Sequence, residues 1–96
     1  MDALALPPFL NRYFWDTDPT RLDSRRHRRY IIERLLDIGD LDALRWLFRT
    51  YGEAEIKAVV RQSRALSRPA AFFWAHFFDL NPQELPCIQK FYLQPR

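Results

Sequence analysis

Five large aromatic side chains fall within seven consecutive positions, and this stretch constrains the fold more than any other part of the chain. They are Phe72, Phe73, Trp74, Phe77 and Phe78. At 3.6 residues per turn, a helix over this stretch directs aromatic rings to several sides at once. A helix that is apolar on most of its circumference lies either at the centre of a core or between that core and a binding partner. The sequence leaves both placements open.

The rest of the chain contains signals for further helices on the N-terminal side of this stretch. Asp40 and Ser67 are good helix caps, and we expect Gly39 and Gly52 to adopt the left-handed conformation that ends a helix. The predicted helices cover residues 25–38, 41–51 and 53–66, followed by an aromatic helix between Ser67 and Asn81. The sequence therefore predicts an all-α fold: a compact bundle of four main helices with short extra helical turns at both ends.

The length and composition indicate one domain with a substantial core. The chain has 96 residues, of which 48% are hydrophobic and 16% aromatic. We expect the domain to cover 1–96, with a leader at 1–8 and a tail at 89–96 that could be less ordered. A single cysteine, Cys87, cannot form an internal disulfide and favours a reducing compartment. Because the start of the sequence lacks the pattern of a signal peptide, we expect a cytoplasmic protein.

Eight large apolar side chains are expected to form the core. Phe14 and Trp15 belong to an N-terminal segment that should fold back onto the helices, because large apolar side chains are unfavourable in water. The other six lie on the expected inward sides of the helices: Ile31, Leu35, Leu47, Phe73, Trp74 and Phe77. Trp46 lies off the apolar stripe of its helix. The sequence leaves open whether another element or a binding partner covers it.

Positive charge is concentrated in two blocks. Residues 24–34 hold five arginines against Glu33, whereas residues 57–68 hold four cations and no acid. The cations of the second block, spaced i, i+4, i+7 and i+11, would form one continuous stripe if they shared a helix: Lys57, Arg61, Arg64 and Arg68. Such a stripe is either a solvated face or a surface for an acidic partner or nucleic acid.

In the first block, Arg25, Arg26 and Arg29 fall in the first turns of the predicted helix, where the helix dipole is already positive. The upstream aspartates could offset that cost, and so could a phosphate or an acidic partner. These three arginines, Trp46 and the four cations of the second block are therefore the candidates for binding a partner or phosphate.

No motif for catalysis, metal binding or cofactor binding is recognisable in the sequence. His27 and His76 are the only histidines, and neither has a metal-ligand companion at i+3 or i+4. Cys87 has no base nearby in sequence, and a glycine-rich phosphate loop is lacking. A DNA-reading helix-turn-helix across Gly52 is disfavoured, because the glutamates that follow would repel phosphates. We expect a protein that is not an enzyme and needs no metal or cofactor.

The order of several short motifs resembles a known family. The motifs are, in chain order, Phe14-Trp15-Asp16, Leu22-Asp23, Tyr30-Ile31-Ile32-Glu33-Arg34-Leu35-Leu36, Gly39-Asp40, Trp46-Leu47, Tyr51-Gly52, Ser63-Arg64, Leu66-Ser67 and Phe73-Trp74. Across residues 14 to 80, the chain is similar to an uncharacterised family of small bacterial proteins often encoded beside abortive-infection nucleotidyltransferase toxins of the AbiEii type.

This resemblance implies a toxin-neutralising or toxin-associated role and supplies no catalytic residues. We therefore expect a non-enzymatic interaction domain that acts as an antitoxin-like partner of a nucleotidyltransferase and does not enter a membrane. The alternative is an RNA- or DNA-binding accessory domain that uses the same arginines on phosphates. The oligomeric state stays open.

Overall fold

All of the regular structure that is described in this protein is helical, which confirms the predicted all-α class. A computed structural model describes the backbone of residues 6–93 and the side chains of residues 6–18 and 20–89. Its α-helices are α1 (Arg28–Ile38), α2 (Leu41–Tyr51), α3 (Glu53–Gln62), α4 (Arg68–Phe77) and α5 (Pro86–Leu93). Short 3-10 helices cover Pro8–Tyr13, Pro19–Arg21 and Pro82–Glu84. No helix of this part of the chain is both long enough and apolar enough to cross a membrane.

Helices α1 to α4 are the four main helices that the sequence predicts, and the short elements lie at both ends. The first five residues of the expected leader and the last three of the expected tail lie outside the described residues. Within the described part, a 3-10 helix begins at Pro8, and α5 takes in residues 89–93 of the tail.

Helix α2 has the predicted boundaries because its ends carry strong local signals. The side chain of Asp40 accepts a hydrogen bond from the N–H of Ala43 at 3.0 Å, as a helix cap should. Leu47 and Tyr51 lie on its buried side. The buried hydroxyl of Tyr51 donates to the carbonyl of Ser24 at 2.6 Å, so α2 also holds the loop that precedes α1.

The two glycines differ, and only one prediction about them is confirmed. Gly52 has φ 84° and ψ 158°, a region open almost only to glycine, and it joins α2 directly to α3. Gly39 has φ −70° and ψ 147°, which is ordinary extended backbone, so the left-handed prediction is wrong there. Space is what favours glycine at this position, because a Cβ atom would lie 2.6 Å from the carbonyl oxygen of Leu35.

Helix α1 begins three residues later than predicted, because side-chain hydrogen bonds divert the backbone. The Asp23 carboxylate accepts from the N–H groups of Arg25 and Arg26 at 2.8 and 3.1 Å, which favours a turn. Arg25 and Arg26 therefore precede α1.

Helix α3 ends four residues early for a similar reason. Ser63 is buried and extended, and its hydroxyl accepts from the N–H of Ala65 at 3.0 Å. The chain thus leaves the helix after Gln62, and Arg64 lies outside it.

Helix α4 packs one side against the bundle and leaves the other side open. Its inward side consists of Ala71, Trp74 and Ala75, and the following Phe78 is also buried. The indole N–H of Trp74 donates to the carbonyl of Leu36 at 3.0 Å, which fixes α4 on α1. Small alanines and one hydrogen-bonded tryptophan therefore make the contact.

The expected core is right for five residues and wrong for three. Phe14, Ile31, Leu35, Leu47 and Trp74 are buried. In contrast, Trp15 is 70% exposed, Phe73 58% and Phe77 53%. Phe73 and Phe77 point outward because the bundle covers only the alanine and tryptophan side of α4. The Trp15 ring lies on the surface, 5.0 Å from the Arg34 guanidinium, where it gains a cation–π contact without burial.

Candidate interaction surfaces

An exposed apolar surface, which we call the aromatic face, lies on helices α2 and α4. It consists of Leu41 and Phe48 of α2 and Phe73 and Phe77 of α4. Leu41 is 62% exposed, and Phe48 is half-buried. The Phe77 ring centre lies 5.8 Å from that of Phe48 and 6.5 Å from that of Phe73, so α2 and α4 contribute to one connected set of rings.

The rings of the aromatic face pack against buried aromatic side chains beneath them. The Phe48 ring lies 5.9 Å from Trp74 and 6.3 Å from Phe78, and both of these side chains are buried. Phe73 and Phe77 make edge-on contacts with Trp74 at 4.8 and 5.1 Å, a geometry that aromatic pairs favour. Because Trp74 is itself hydrogen-bonded to α1, the exposed rings have a fixed arrangement before any partner binds.

The aromatic face is bordered by arginine side chains on α2. Arg45 and Arg49 directly follow Leu44 and Phe48 in the sequence. Helical geometry therefore places both arginines next to the apolar stripe, on the outward side of α2. Arg45 makes an exposed ion pair of 3.8 Å with Asp42. Among the described residues, Arg49 is exposed and has no ion pair or hydrogen bond from its side chain.

A second candidate surface, which we call the basic groove, lies on α3. It is lined by Ala54, Lys57, Ala58, Arg61 and Gln62. Lys57 is half-buried and Arg61 is exposed, and neither side chain has an ion pair with a described residue. The two alanines leave room between the cations, so an extended anionic group could approach the helix closely.

The predicted cationic stripe is only half realised, because α3 ends at Gln62. Lys57 and Arg61 share one side of α3, whereas Arg64 lies in the loop and Arg68 begins α4. The guanidinium of Arg68 lies 5.8 Å from the ring centre of Phe72. The prediction of one continuous stripe over these four residues is therefore wrong.

The first basic block is largely used to hold helices together. Arg28 makes an ion pair of 2.8 Å with Glu55 at the start of α3. Arg29 pairs with Glu33 at 3.5 Å and donates to the carbonyl of Gln62 at 3.0 Å. Arg29 thereby reaches the edge of the basic groove, so parts of the two blocks meet at the end of α3.

The charge that the sequence assigned to the start of α1 is offset by a local acid. Arg25 and Arg26 lie in the turn whose N–H groups bind the Asp23 carboxylate. Hydrogen bonds from the N–H groups of Arg26 and Arg25 hold the pKa of Asp23 below its usual range, so this acid stays ionised beside them. The upstream acid therefore lies beside these two arginines, as one of the two interpretations of the sequence expects.

Trp46 belongs to neither surface. Its ring packs edge-on against Tyr51 at 5.9 Å and is half-buried. Helical spacing places it on the side of α2 away from Phe48. The contact with Tyr51 is therefore sufficient to explain why the Trp46 ring is half-buried, and a binding partner is not needed to explain it.

Sequence reasoning missed Leu41 and Phe48 as surface residues. A signal was present: Leu41, Leu44 and Phe48 recur at i, i+3 and i+7, which marks a second apolar stripe beside the buried one. No group of three or more histidine, cysteine, aspartate or glutamate side chains that could hold a metal ion occurs among the described residues.

These features define a small helical domain whose outer surface presents a fixed apolar face and a separate basic groove. Residues 9–60 match the model of a family of unknown function, DUF6922. Because the match covers more than half of the sequence, the chain belongs to this family. The matched range includes α1, α2 and most of α3, whereas α4 lies beyond it. No match was found among curated proteins or among solved structures.

Proposed function

We propose that this protein is a non-enzymatic interaction domain that binds another protein through its aromatic face. The observation that supports this function is the exposure of Phe73 and Phe77 on a helix whose inward side is already packed. An apolar patch of this kind, on a rigid base, commonly marks a site of protein–protein interaction. This corresponds to the second placement open to the aromatic helix, between a core and a partner.

The size of the aromatic face sets the free energy that it can contribute to binding a partner. Phe73, Phe77 and Leu41 are each more than half exposed and Phe48 is half-buried, so the face offers on the order of 300 Å² of apolar area. At about 25 cal/mol per Å², covering it yields roughly 7 kcal/mol. Association itself costs roughly 4–15 kcal/mol, so the face can anchor a partner but needs further contacts for tight binding. The arginines that border it are suited to supply them.

The partner that we propose is a nucleotidyltransferase toxin of the AbiEii type. This choice is supported by the resemblance of the chain to proteins often encoded beside such toxins. The proposed mechanism is occlusion. The aromatic face anchors the protein on the toxin, while exposed cations such as Arg49 and Arg61 compete for the acidic, metal-binding or nucleotide-binding site.

An inhibition assay tests this function directly. A purified AbiEii-type nucleotidyltransferase from the same genome is mixed with increasing amounts of the protein, and nucleotidyl transfer is followed. We expect suppression at near-equal molar amounts. The double variant Phe73→Ser/Phe77→Ser should lose at least about tenfold in potency, equivalent to about 1.4 kcal/mol. Phe9→Ser, which changes an exposed phenylalanine on the 3-10 helix Pro8–Tyr13, is the matched control.

Two results of this assay would reject the proposal at different levels. Full activity of the toxin with the protein in excess would exclude the toxin as the partner. Inhibition that is equally strong in Phe73→Ser/Phe77→Ser and wild type would exclude the aromatic face as the anchor.

A second candidate function is supported by the basic groove. Lys57 and Arg61 lie on one side of α3 with small alanines beside them, and the lining residues include no acid. Such an arrangement suits a phosphate backbone, and an RNA- or DNA-binding accessory role would use it. The salt dependence of binding separates this candidate from the first.

A further inference from the structure

We infer that the aromatic face accommodates one amphipathic helix of the partner, whose apolar stripe is flanked by acidic side chains. This inference rests on the proposed function and adds the chemistry of the segment that docks. Three features of the face support it: its shape, its limited area and the charge of its border.

The shape of the face fits a helix. Leu41 and Phe48 lie two turns apart on one side of α2, and Phe73 and Phe77 lie one turn apart on α4. The two rows meet at the contact between Phe48 and Phe77. A helix that binds such a surface contacts it through apolar residues at positions i, i+3 or i+4, and i+7.

The area of the face favours a single helix over a second copy of this chain. Stable protein dimers bury about 800 Å² on each partner, whereas this face offers on the order of 300 Å² of apolar area. A dimer would have to recruit much polar surface around the face. The apolar stripe of one helix is narrow and can be covered by these four side chains.

The charge at the border of the aromatic face indicates which charge the docking helix carries on either side of its apolar stripe. The aromatic face is bordered on α2 by the arginines Arg45 and Arg49 and, next to Leu41, by the acids Asp40 and Asp42. The Asp40 carboxylate accepts the hydrogen bond from the N–H of Ala43 that caps α2. Asp42 already pairs with Arg45, and Asp79 follows the end of α4. Arg49 stands beside Phe48 without a partner among the described side chains. Acidic residues on the docking helix would complement this border, and such rim charges act mainly on association rate and specificity.

Two synthetic peptides provide the probe. Both have about 18 residues, or five turns, with the same leucine stripe at helical spacing. One carries glutamates on both sides of the stripe and the other carries lysines. Fluorescence anisotropy of labelled peptide measures their binding to the full chain. We expect the glutamate peptide to bind at least about tenfold more tightly than the lysine peptide at low salt, with a smaller difference at high salt.

Matched variants locate the binding. Phe73→Ser/Phe77→Ser should abolish binding of the glutamate peptide, whereas Phe9→Ser should leave it unchanged. Arg49→Glu should reduce the preference for the glutamate peptide at least about threefold. Arg21→Glu, which alters a side chain that is 86% exposed and lies before α1, should leave the preference unchanged.

Equal affinity for the two peptides, or no binding of the glutamate peptide, would overturn the inference. A concentration-dependent dimer in sedimentation that is lost in Phe73→Ser/Phe77→Ser would also overturn it, because the occupant would then be a second copy. These outcomes are distinct from a failure of the proposed function. If the toxin is inhibited by way of Phe73 and Phe77 but no peptide preference exists, only the inference fails. If the preference exists and the toxin stays active, only the toxin is excluded.

Discussion

The carboxylate of Asp16 accepts two hydrogen bonds from the guanidinium of Arg34, at 3.2 and 2.8 Å. The same guanidinium donates to the Tyr13 carbonyl at 3.1 Å and to the Tyr30 hydroxyl at 2.8 Å. The pair thus fastens the N-terminal segment to α1. Both residues belong to the short motifs of the sequence, and both lie within the range matched by DUF6922. At these two positions, the motif residues serve the fold.

The thermal stability of the fold at acid pH should depend on this ion pair. The hydrogen bond from Arg34 holds the pKa of Asp16 below its usual range, and the N–H of Ala43 does the same for Asp40. A carboxyl group with a lowered folded pKa stabilises the fold above its unfolded pKa of about 3.9, and this contribution is lost as the pH falls through the folded value. We expect the Tm to fall as the pH drops below about 4.

The variant Asp16→Asn tests the assignment of that effect. It should lower the Tm at pH 7 and reduce the change in Tm between about pH 5 and 2, because the charged partner of Arg34 is gone. Asp42→Asn serves as the control, since Asp42 makes only an exposed ion pair of 3.8 Å. The same acid dependence in wild type and Asp16→Asn would show that this pair does not contribute.

Two aromatic neighbours on α4 should differ widely in their effect on stability. Trp74→Ala removes a buried, hydrogen-bonded side chain and should cost about 3–5 kcal/mol in the free energy of unfolding. Phe73→Ala removes a side chain that is mostly exposed and should cost less than about 1 kcal/mol. Urea denaturation of both variants gives the comparison. Similar losses at the two positions would contradict the orientation of α4.

Gly52 should resist substitution because of its backbone conformation alone. No atom lies within 4 Å of the position that a Cβ atom would take, so Gly52→Ala introduces strain without a clash. We expect a loss of roughly 1–3 kcal/mol in the free energy of unfolding. D-alanine at the same position, introduced by chemical synthesis, should restore most of the stability, because its mirror-image preference allows φ 84°. Equal destabilisation by both alanines would indicate a steric cause.

The salt dependence of nucleic-acid binding tests the basic groove. If Lys57 and Arg61 contact phosphates of duplex DNA, log Kd should change with log salt by about 0.9 per phosphate neutralised. Lys57→Gln/Arg61→Gln should then lower that slope by about two. The matched control is Arg45→Gln/Arg49→Gln, which removes two charges at the aromatic face. Weak binding by wild type and by both variants would exclude the second candidate function.

Local signals in the sequence were sufficient for both ends of α2, for the start of α4 and for part of the core. The cap at Asp40 and the glycine conformation at Gly52 set both ends of α2 as predicted. The cap at Ser67 set the start of α4. Leu35 is buried because α1 has a single clear apolar side, so periodicity alone determines which way it faces.

Tertiary structure decided the orientation of α4 and therefore the location of the aromatic face. Periodicity fixes the angles between Phe73, Trp74 and Phe77 around the helix, but this helix is apolar on most of its circumference. Which side is buried then depends on the neighbours: α1 offers the Leu36 carbonyl to Trp74, and Phe48 of α2 supports Phe77. The pairing of Asp16 with Arg34 likewise joins residues 18 positions apart in the sequence. Contacts of this kind depend on how the packed helices are arranged, which no local pattern specifies.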